Sequence, residues 1–409
     1  YGKNPGEWVA NIYGGHENLE AVEFLKHLNS IFRKRTKGAV LIAEESTAWP
    51  KITGDVKNDG LGFDYKWNMG WMNDFTRYMQ CDPMFRCHHY GELTFSMIYA
   101  YSEDFILVFS HDEVVHGKGS MIGKMPGDTY EKKFANLRAA YGFMMGHPGK
   151  KLLFMGQDFA QMDEWNENES LQWDLLQYPI HSQMRDYVKA LNKFYLEHPA
   201  LYKEDFHPDG FKWINCMNAK DNIVTFVRKS GKRSETLLFV CNFAPIAHEK
   251  YNIGVPFAGK YKEIFSSNME EFGGSGIANP RAKASKAVEC DELKNSITIK
   301  VEPMSVSIFS CTPAAPARRR SAKKGGAEST KKAGAKAGSA ETDPAKLTAA
   351  ASEAQAQAQA ETAVKPEKKR ASVLDQVAEK LPATASTITN FKDAVAKRTG
   401  RGKKQTEGK

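Results

Sequence analysis

Residues 17–35 carry Leu19, Val22, Leu25, Leu28, Ile31 and Phe32 at three-to-four-residue intervals, which predicts an amphipathic helix. Directly after Gly38, Ala39-Val40-Leu41-Ile42-Ala43 is apolar at every position and reads as a short buried strand. The alternation then repeats along the chain. A strand is expected at 61–65, helical stretches to about Tyr101, a strand at 105–109, a helix at 130–145, a strand at 151–155 and a last helix at 184–196. Continuously apolar strands separated by helices predict an α/β fold with a parallel sheet covered on both faces, and four such strands are half of a (β/α)8 TIM barrel.

After residue 200 the pattern changes to short alternating runs such as Ile223-Val224-Thr225-Phe226-Val227, separated by Gly, Pro and Asn clusters. Residues 201–312 are therefore expected to form an all-β domain, behind a barrel segment at 1–200. From Pro313 the chain is rich in Ala, Lys, Ser, Thr and Gln, with almost no aromatic residues, and 313–409 is expected to be a disordered basic tail with a transient helix near 371–381. The net charge of +8 resides there: 313–409 holds 21 Lys and Arg against 10 Asp and Glu, whereas 1–312 holds 36 against 39. The charge thus says nothing about a substrate of the folded part, and weak, salt-dependent polyanion binding by the tail is the expectation it carries. Six scattered cysteines, several inside apolar runs, suit reduced core residues better than a disulfide framework. Cys81, Cys87, His88 and His89 lack the second ligand pair that a zinc site needs, so no metal and no cofactor are expected. No stretch approaches eighteen uninterrupted apolar residues, and residues 1–5 resemble no signal peptide, so a cytoplasmic protein without membrane partners is expected.

In a parallel barrel, reactive groups sit where strands end. The run 40–43 stops at Glu44-Glu45-Ser46-Thr47, and the run 105–109 stops at Ser110-His111-Asp112-Glu113. One acidic strand end is as well explained by capping of the next helix. Two of them, one beside a His, favour glycoside chemistry, which uses a pair of carboxyl groups. Trp49, Phe63, Tyr65, Trp67, Trp71 and Trp165 surround these ends and offer flat apolar faces for sugar rings, although filling the barrel explains about half of them equally well.

These blocks resemble the glycogen branching enzymes, 1,4-α-glucan 6-glucosyltransferases of the α-amylase superfamily. The resemblance covers about residues 1–312 and rests on Tyr13-Gly14-Gly15 with Glu17-Asn18-Leu19-Glu20-Ala21, Ala43-Glu44-Glu45-Ser46-Thr47, and Gly62-Phe63-Asp64-Tyr65-Lys66-Trp67-Asn68. It continues through Ser110-His111-Asp112-Glu113-Val114-Val115-His116-Gly117-Lys118, Met125-Pro126-Gly127-Asp128 and Leu153-Phe154-Met155-Gly156. It implies the C-terminal half of the catalytic barrel followed by the all-β domain, and an enzyme of glycogen biosynthesis acting on α-glucan such as glycogen or amylose. It also implies that Glu44 is the general acid/base, that His111 and Asp112 bind sugar hydroxyls and stabilise the transition state, and that Trp49, Tyr65, Trp67, Glu113 and Trp165 contact substrate. The family's nucleophilic Asp would lie before Tyr1, so no nucleophile is expected in this chain, and the other half of the enzyme becomes an expected partner. A different α-glucan transferase or hydrolase, or a non-catalytic glucan-binding fragment, remain the alternative readings.

Overall fold

Helix α1 (Leu19–Arg35) begins where the Asn18 side chain accepts the Ala21 N–H at 2.9 Å, a cap that supplies one otherwise orphaned donor. A computed structural model of the chain describes residues 6–314. The tail, including its expected helix near 371–381, and the opening residues 1–5 lie outside them. After α1 come β1 (Ile42–Ala43), β2 (Tyr65–Trp67), α2 (Met69–Gln80), α3 (Tyr90–Thr94), β3 (Phe105–Phe109), α4 (Met121–Lys124), α5 (Tyr130–Gly146), β4 (Lys150–Leu153) and α6 (Pro179–Glu197). The four strands form one parallel sheet in the order β1-β2-β3-β4, as the alternation predicts, the arrangement expected of half a (β/α)8 barrel.

Two strand expectations need correction. The run 39–43 is not a buried strand. Only Ile42 and Ala43 pair, and Val40 and Ile42 are 50% and 41% exposed, because β1 is the sheet's edge and has a neighbour on one side only. Residues 61–63 are not a strand either. Their N–H groups donate to Lys51, Gly54 and Ile52 carbonyls of a preceding loop, so sheet pairing starts at Tyr65. Gly60 permits that loop to close, since a Cβ there would lie 2.1 Å from the Gly54 carbonyl oxygen.

The remaining strands are β5 (Phe211–Asn215), β6 (Ile223–Arg228), β7 (Leu237–Asn242), β8 (His248–Val255), β9 (Gly259–Ser266), β10 (Lys283–Ala284), β11 (Asn295–Val301) and β12 (Ser305–Pro313). They build an antiparallel six-stranded sheet, β10-β9-β12-β7-β6-β5, and a β8-β11 pair. Strand β12 includes Pro313, which pairs with Gly259, so the all-β region runs past the boundary expected at 312.

One apolar cluster joins the two sheets through α5, whose residues are mostly buried. Phe143 contacts Phe75 on one side and Phe226 and Phe243 on the other. The helix comes close to the antiparallel sheet at its last residue. A Cβ on Gly146 would lie 2.6 Å from the Phe239 ring and 2.9 Å from the Phe226 ring, and these two rings stack on each other. Gly146→Ala is therefore expected to cost about 1–3 kcal/mol by overpacking, read as a lower urea midpoint with an unchanged slope. An unchanged midpoint would show that the rings can move apart.

His147 follows α5 and is 1% exposed. Its Nδ1 donates to the Pro148 carbonyl at 2.9 Å, so its Nε2 is the acceptor for the Ser96 hydroxyl, also at 2.9 Å. Burial pushes its pKa down to about 3. Because the folded value lies below the ordinary one near 6.5, the stability held by the neutral ring is complete above pH 6.5 and is lost as pH falls from there towards 3. The slope reaches about 1.4 kcal/mol per pH unit. His147→Asn should flatten the fall in melting temperature between pH 6.5 and 5, and parallel profiles for the two proteins would refute this linkage.

Candidate active site

The parallel register brings the C-terminal ends of all four strands to one edge. Glu44 follows β1 there, Asn68 follows β2, Ser110 and His111 follow β3, and Phe154 follows β4. Across the sheet β1 and β3 are two strand spacings apart, about 10 Å, and the register sets Ala43 level with Phe105, so β3 ends four residues further along, at Phe109. The edge thus gathers Glu44, which is exposed, and the half-exposed pair His111 and Asp112, whose Nε2 and Oδ1 are 3.4 Å apart.

The turn after β3 holds its shape through a capping box. Ser110 Oγ accepts the Asp112 N–H at 3.2 Å, while the Ser110 N–H donates to the Glu113 carboxylate. Glu113 is 5% exposed and its carboxylate is turned into this box, so it shapes the turn rather than facing the open edge. Behind Glu44, the Glu45 carboxylate pairs with Lys66 Nζ at 2.9 Å, and the same ammonium donates to the Thr47 carbonyl at 3.0 Å. Lys66 and the Thr47 hydrogen bonds outweigh the effect of burial and hold the Glu45 pKa below the ordinary carboxylate range. Sequence reasoning did not single out Lys66, although a lysine in the middle of an apolar strand that ends at a site is a signal worth following.

The aromatic residues separate into different environments. Trp165 lies beside the pair, its ring edge-on to His111 at 6.3 Å and to Phe154 at 5.1 Å, while its backbone N–H donates to the Val114 carbonyl. Trp71 is 1% exposed and stacks on Phe75, so it belongs to the core. Trp49 and Phe63 pack on a small cluster with Ala43, Ile52 and Leu61. Tyr65 and Trp67 alternate with Lys66 and pack on the main cluster from the other face of the strand. Tyr65 opens β2 at the end opposite the site and lies 5.8 Å from Phe206, so the structure does not bring it to Glu44 or His111.

A backbone loop from 115 to 120 leads away from the pair. It has left-handed conformations at His116, Gly117 and Gly119. Lys124 Nζ donates to the carbonyls of Glu113, Lys118 and Gly119 at 2.6, 2.6 and 2.7 Å, and Lys118 Nζ donates to the Asp112 carbonyl at 2.7 Å. From the other side, the Glu164 carboxylate accepts the N–H groups of Gly117 and Gly119 at 3.0 and 2.5 Å. Among the described residues no group of three or more His, Cys, Asp and Glu side chains is arranged to hold a metal ion, and all six cysteines are unpaired.

Residues 213–312 match the family model of the alpha amylase C-terminal all-beta domain. The chain is 48% identical over 309 residues to "1,4-alpha-glucan branching enzyme GlgB" of Shewanella frigidimarina, covering 76% of this chain and 41% of that protein. It is 50% identical over 310 residues to "1,4-alpha-glucan branching enzyme GlgB 1" of Clostridium perfringens (strain 13 / Type A), covering 76% and 46%. Among solved structures, an alpha-amylase from Geobacillus thermoleovorans in complex with acarbose aligns with a TM-score of 0.48 at 10% identity, covering 73% of this chain and 58% of that one. The chain spans less than half the length of these curated relatives. With nearly every second residue shared over three quarters of its length, the chain is homologous to the 1,4-alpha-glucan branching enzymes and corresponds to the C-terminal part of those relatives.

Proposed function

We propose that this chain supplies the C-terminal barrel strands and all-β domain of a cytoplasmic branching enzyme, which cuts α-1,4 links in α-glucan and rejoins the freed segment to a 6-hydroxyl. The observation that carries the reading is the delivery of Glu44 and the His111–Asp112 pair to one edge of a parallel sheet. In this reading the nucleophilic carboxylate comes from a barrel strand other than β1–β4. It attacks the anomeric carbon while Glu44 gives its proton to the departing glycosidic oxygen, leaving a glycosyl ester. Glu44, now a carboxylate, takes the proton of an acceptor 6-hydroxyl, whose oxygen attacks the same carbon and releases the nucleophile. Asp112 accepts hydroxyl hydrogen bonds from the sugar as positive charge develops on its ring. Among the described residues no helix is long and apolar enough to cross a membrane.

Support for a complementary barrel half comes from the open side of the sheet. The edge of β1 has no partner strand, and helix α1 exposes Phe24, Leu28 and Ile31 at 63%, 39% and 44%, an i, i+4, i+7 stripe suited to packing against further strands and helices. The purified 409-residue chain is accordingly expected to form no α-1,6 linkages from amylose. Co-expression with the N-terminal part of a relative such as the Clostridium perfringens enzyme should restore them, measured by chain-length analysis after debranching. Branching by the chain alone would overturn the assignment of the nucleophile. A complemented enzyme that only shortens amylose would support an α-glucan hydrolase instead.

A further inference from the structure

The loop that leaves the His111–Asp112 pair is held by charge from two sides, and neither charged group belongs to the acid/base chemistry described above. All three protons of the Lys124 ammonium are used on carbonyls of the segment 113–119. Both oxygens of the Glu164 carboxylate are used on its amides. The turns at His116, Gly117 and Gly119 leave the Gly117 and Gly119 N–H groups facing one carboxylate, a turn-built anion site whose anion is the protein's own Glu164. The next residue, Trp165, adds the hydrogen bond to Val114 and the ring contact on His111.

We propose that Lys124 and Glu164 are positioning residues that clamp the segment 113–119 and so fix His111 and Asp112 towards the substrate. The inference rests on the branching-enzyme reading for its catalytic part and on geometry alone for the clamp. The groups titrate in accordance with these contacts. The Gly119 and Gly117 N–H groups hold the Glu164 carboxyl below its ordinary range, keeping it ionised at neutral pH. Burial pushes the Lys124 ammonium down, against the charges of Glu113 and Glu164, which favour its proton. The hydrogen bonds of both side chains go to backbone atoms and none to His111 or Asp112, so their effect runs through the backbone: a misplacement near 1 Å at a catalytic group is enough to cost about 10²-fold in rate.

Two measurements on Glu164→Gln and Lys124→Met test this. In the 409-residue chain, amide exchange at Gly117 and Gly119 should rise at least about tenfold in both variants while exchange in α5 stays unchanged. In the complemented enzyme, kcat for branching should fall about 10–100-fold, with KM for amylose changing less than about threefold, a split that general loss of fold would not give. Unchanged exchange at the two glycines would overturn the clamp. Raised exchange with unchanged kcat would overturn the positioning role. A wild-type complemented enzyme without branching activity would sink the functional reading and the positioning role with it, and the exchange result would still decide the clamp.

Discussion

Glu44→Gln, placed in the complemented enzyme, is expected to lower kcat for branching by about 10²–10⁴-fold, the range that a general acid/base supplies. The amide keeps the shape of the side chain but has no proton of suitable acidity for the departing oxygen and cannot take one from the acceptor. Stability should change by no more than about 0.5 kcal/mol, because Glu44 is exposed at the open edge of the sheet and packs no core. Asp112→Asn should behave in the same direction, with turnover reduced far more than melting temperature, since its side chain is 44% exposed. Retained branching together with a loss of several degrees in melting temperature would assign both carboxylates to structure instead of chemistry.

The largest stability effect is expected at the opposite end of the barrel strands. Asp205 is fully buried and pairs with the equally buried Arg228 at 2.9 Å, while accepting the Gly149 N–H at 2.9 Å and Lys150 Nζ at 3.2 Å. Arg228 also donates to the carbonyls of Gly146 and Leu201 at 2.8 and 3.0 Å. Burial alone would raise the Asp205 pKa, but the charges of Lys151, Arg228 and Lys150 outweigh it and hold the pKa below the ordinary value. Asp205→Ala leaves the guanidinium buried without its counter-charge, which costs about 3–5 kcal/mol where such pairs are broken from one side. Removing both charges, as in Asp205→Leu with Arg228→Met, should recover much of that loss, because apolar groups of similar volume need no compensation. Urea unfolding of the two variants decides the matter. A loss under about 1 kcal/mol for Asp205→Ala would show that water reaches the arginine.

How much of this was legible beforehand depended on whether a residue's partner was a periodic neighbour or a distant backbone group. The apolar run of β3 was readable because both faces of the strand are covered, and the 3.6-residue spacing marked α1 although Asn29 is its one buried residue and Leu28 and Ile31 of the expected stripe are exposed. The segment 61–63 has the same apolar character as β3. Its N–H groups, however, found carbonyls in the 51–54 loop, and composition carries no record of that choice. Val40 and Ile42 misled for a related reason, since a run of apolar residues does not distinguish a central strand from an edge whose neighbour is elsewhere. The strand-end carboxylates were found by asking where each run stops. Tyr65 and Trp67 were weighed as sugar platforms on ring type, and the two-residue period against the inward Lys66 could have assigned them to packing. Lys124 and Glu164 left no signal of that kind. Each binds backbone atoms only, and any lysine or glutamate has the same letters on a solvated surface.

Helix α5 has a consequence for recombining this chain with its relatives. Its residues lie between the parallel sheet and the antiparallel one, with Phe143 touching rings on both sides and Gly142 and Gly146 leaving room for Val306 and Phe239. The all-β region is therefore not a detachable appendage, because cutting the chain after α6 would strip one wall from the helix and open its apolar face to water. A chimaera that exchanges this region between two homologues inherits a fitted contact, and its chance of folding should follow the match of ring and glycine positions across α5, β6, β7 and β12 more closely than the percentage of residues shared.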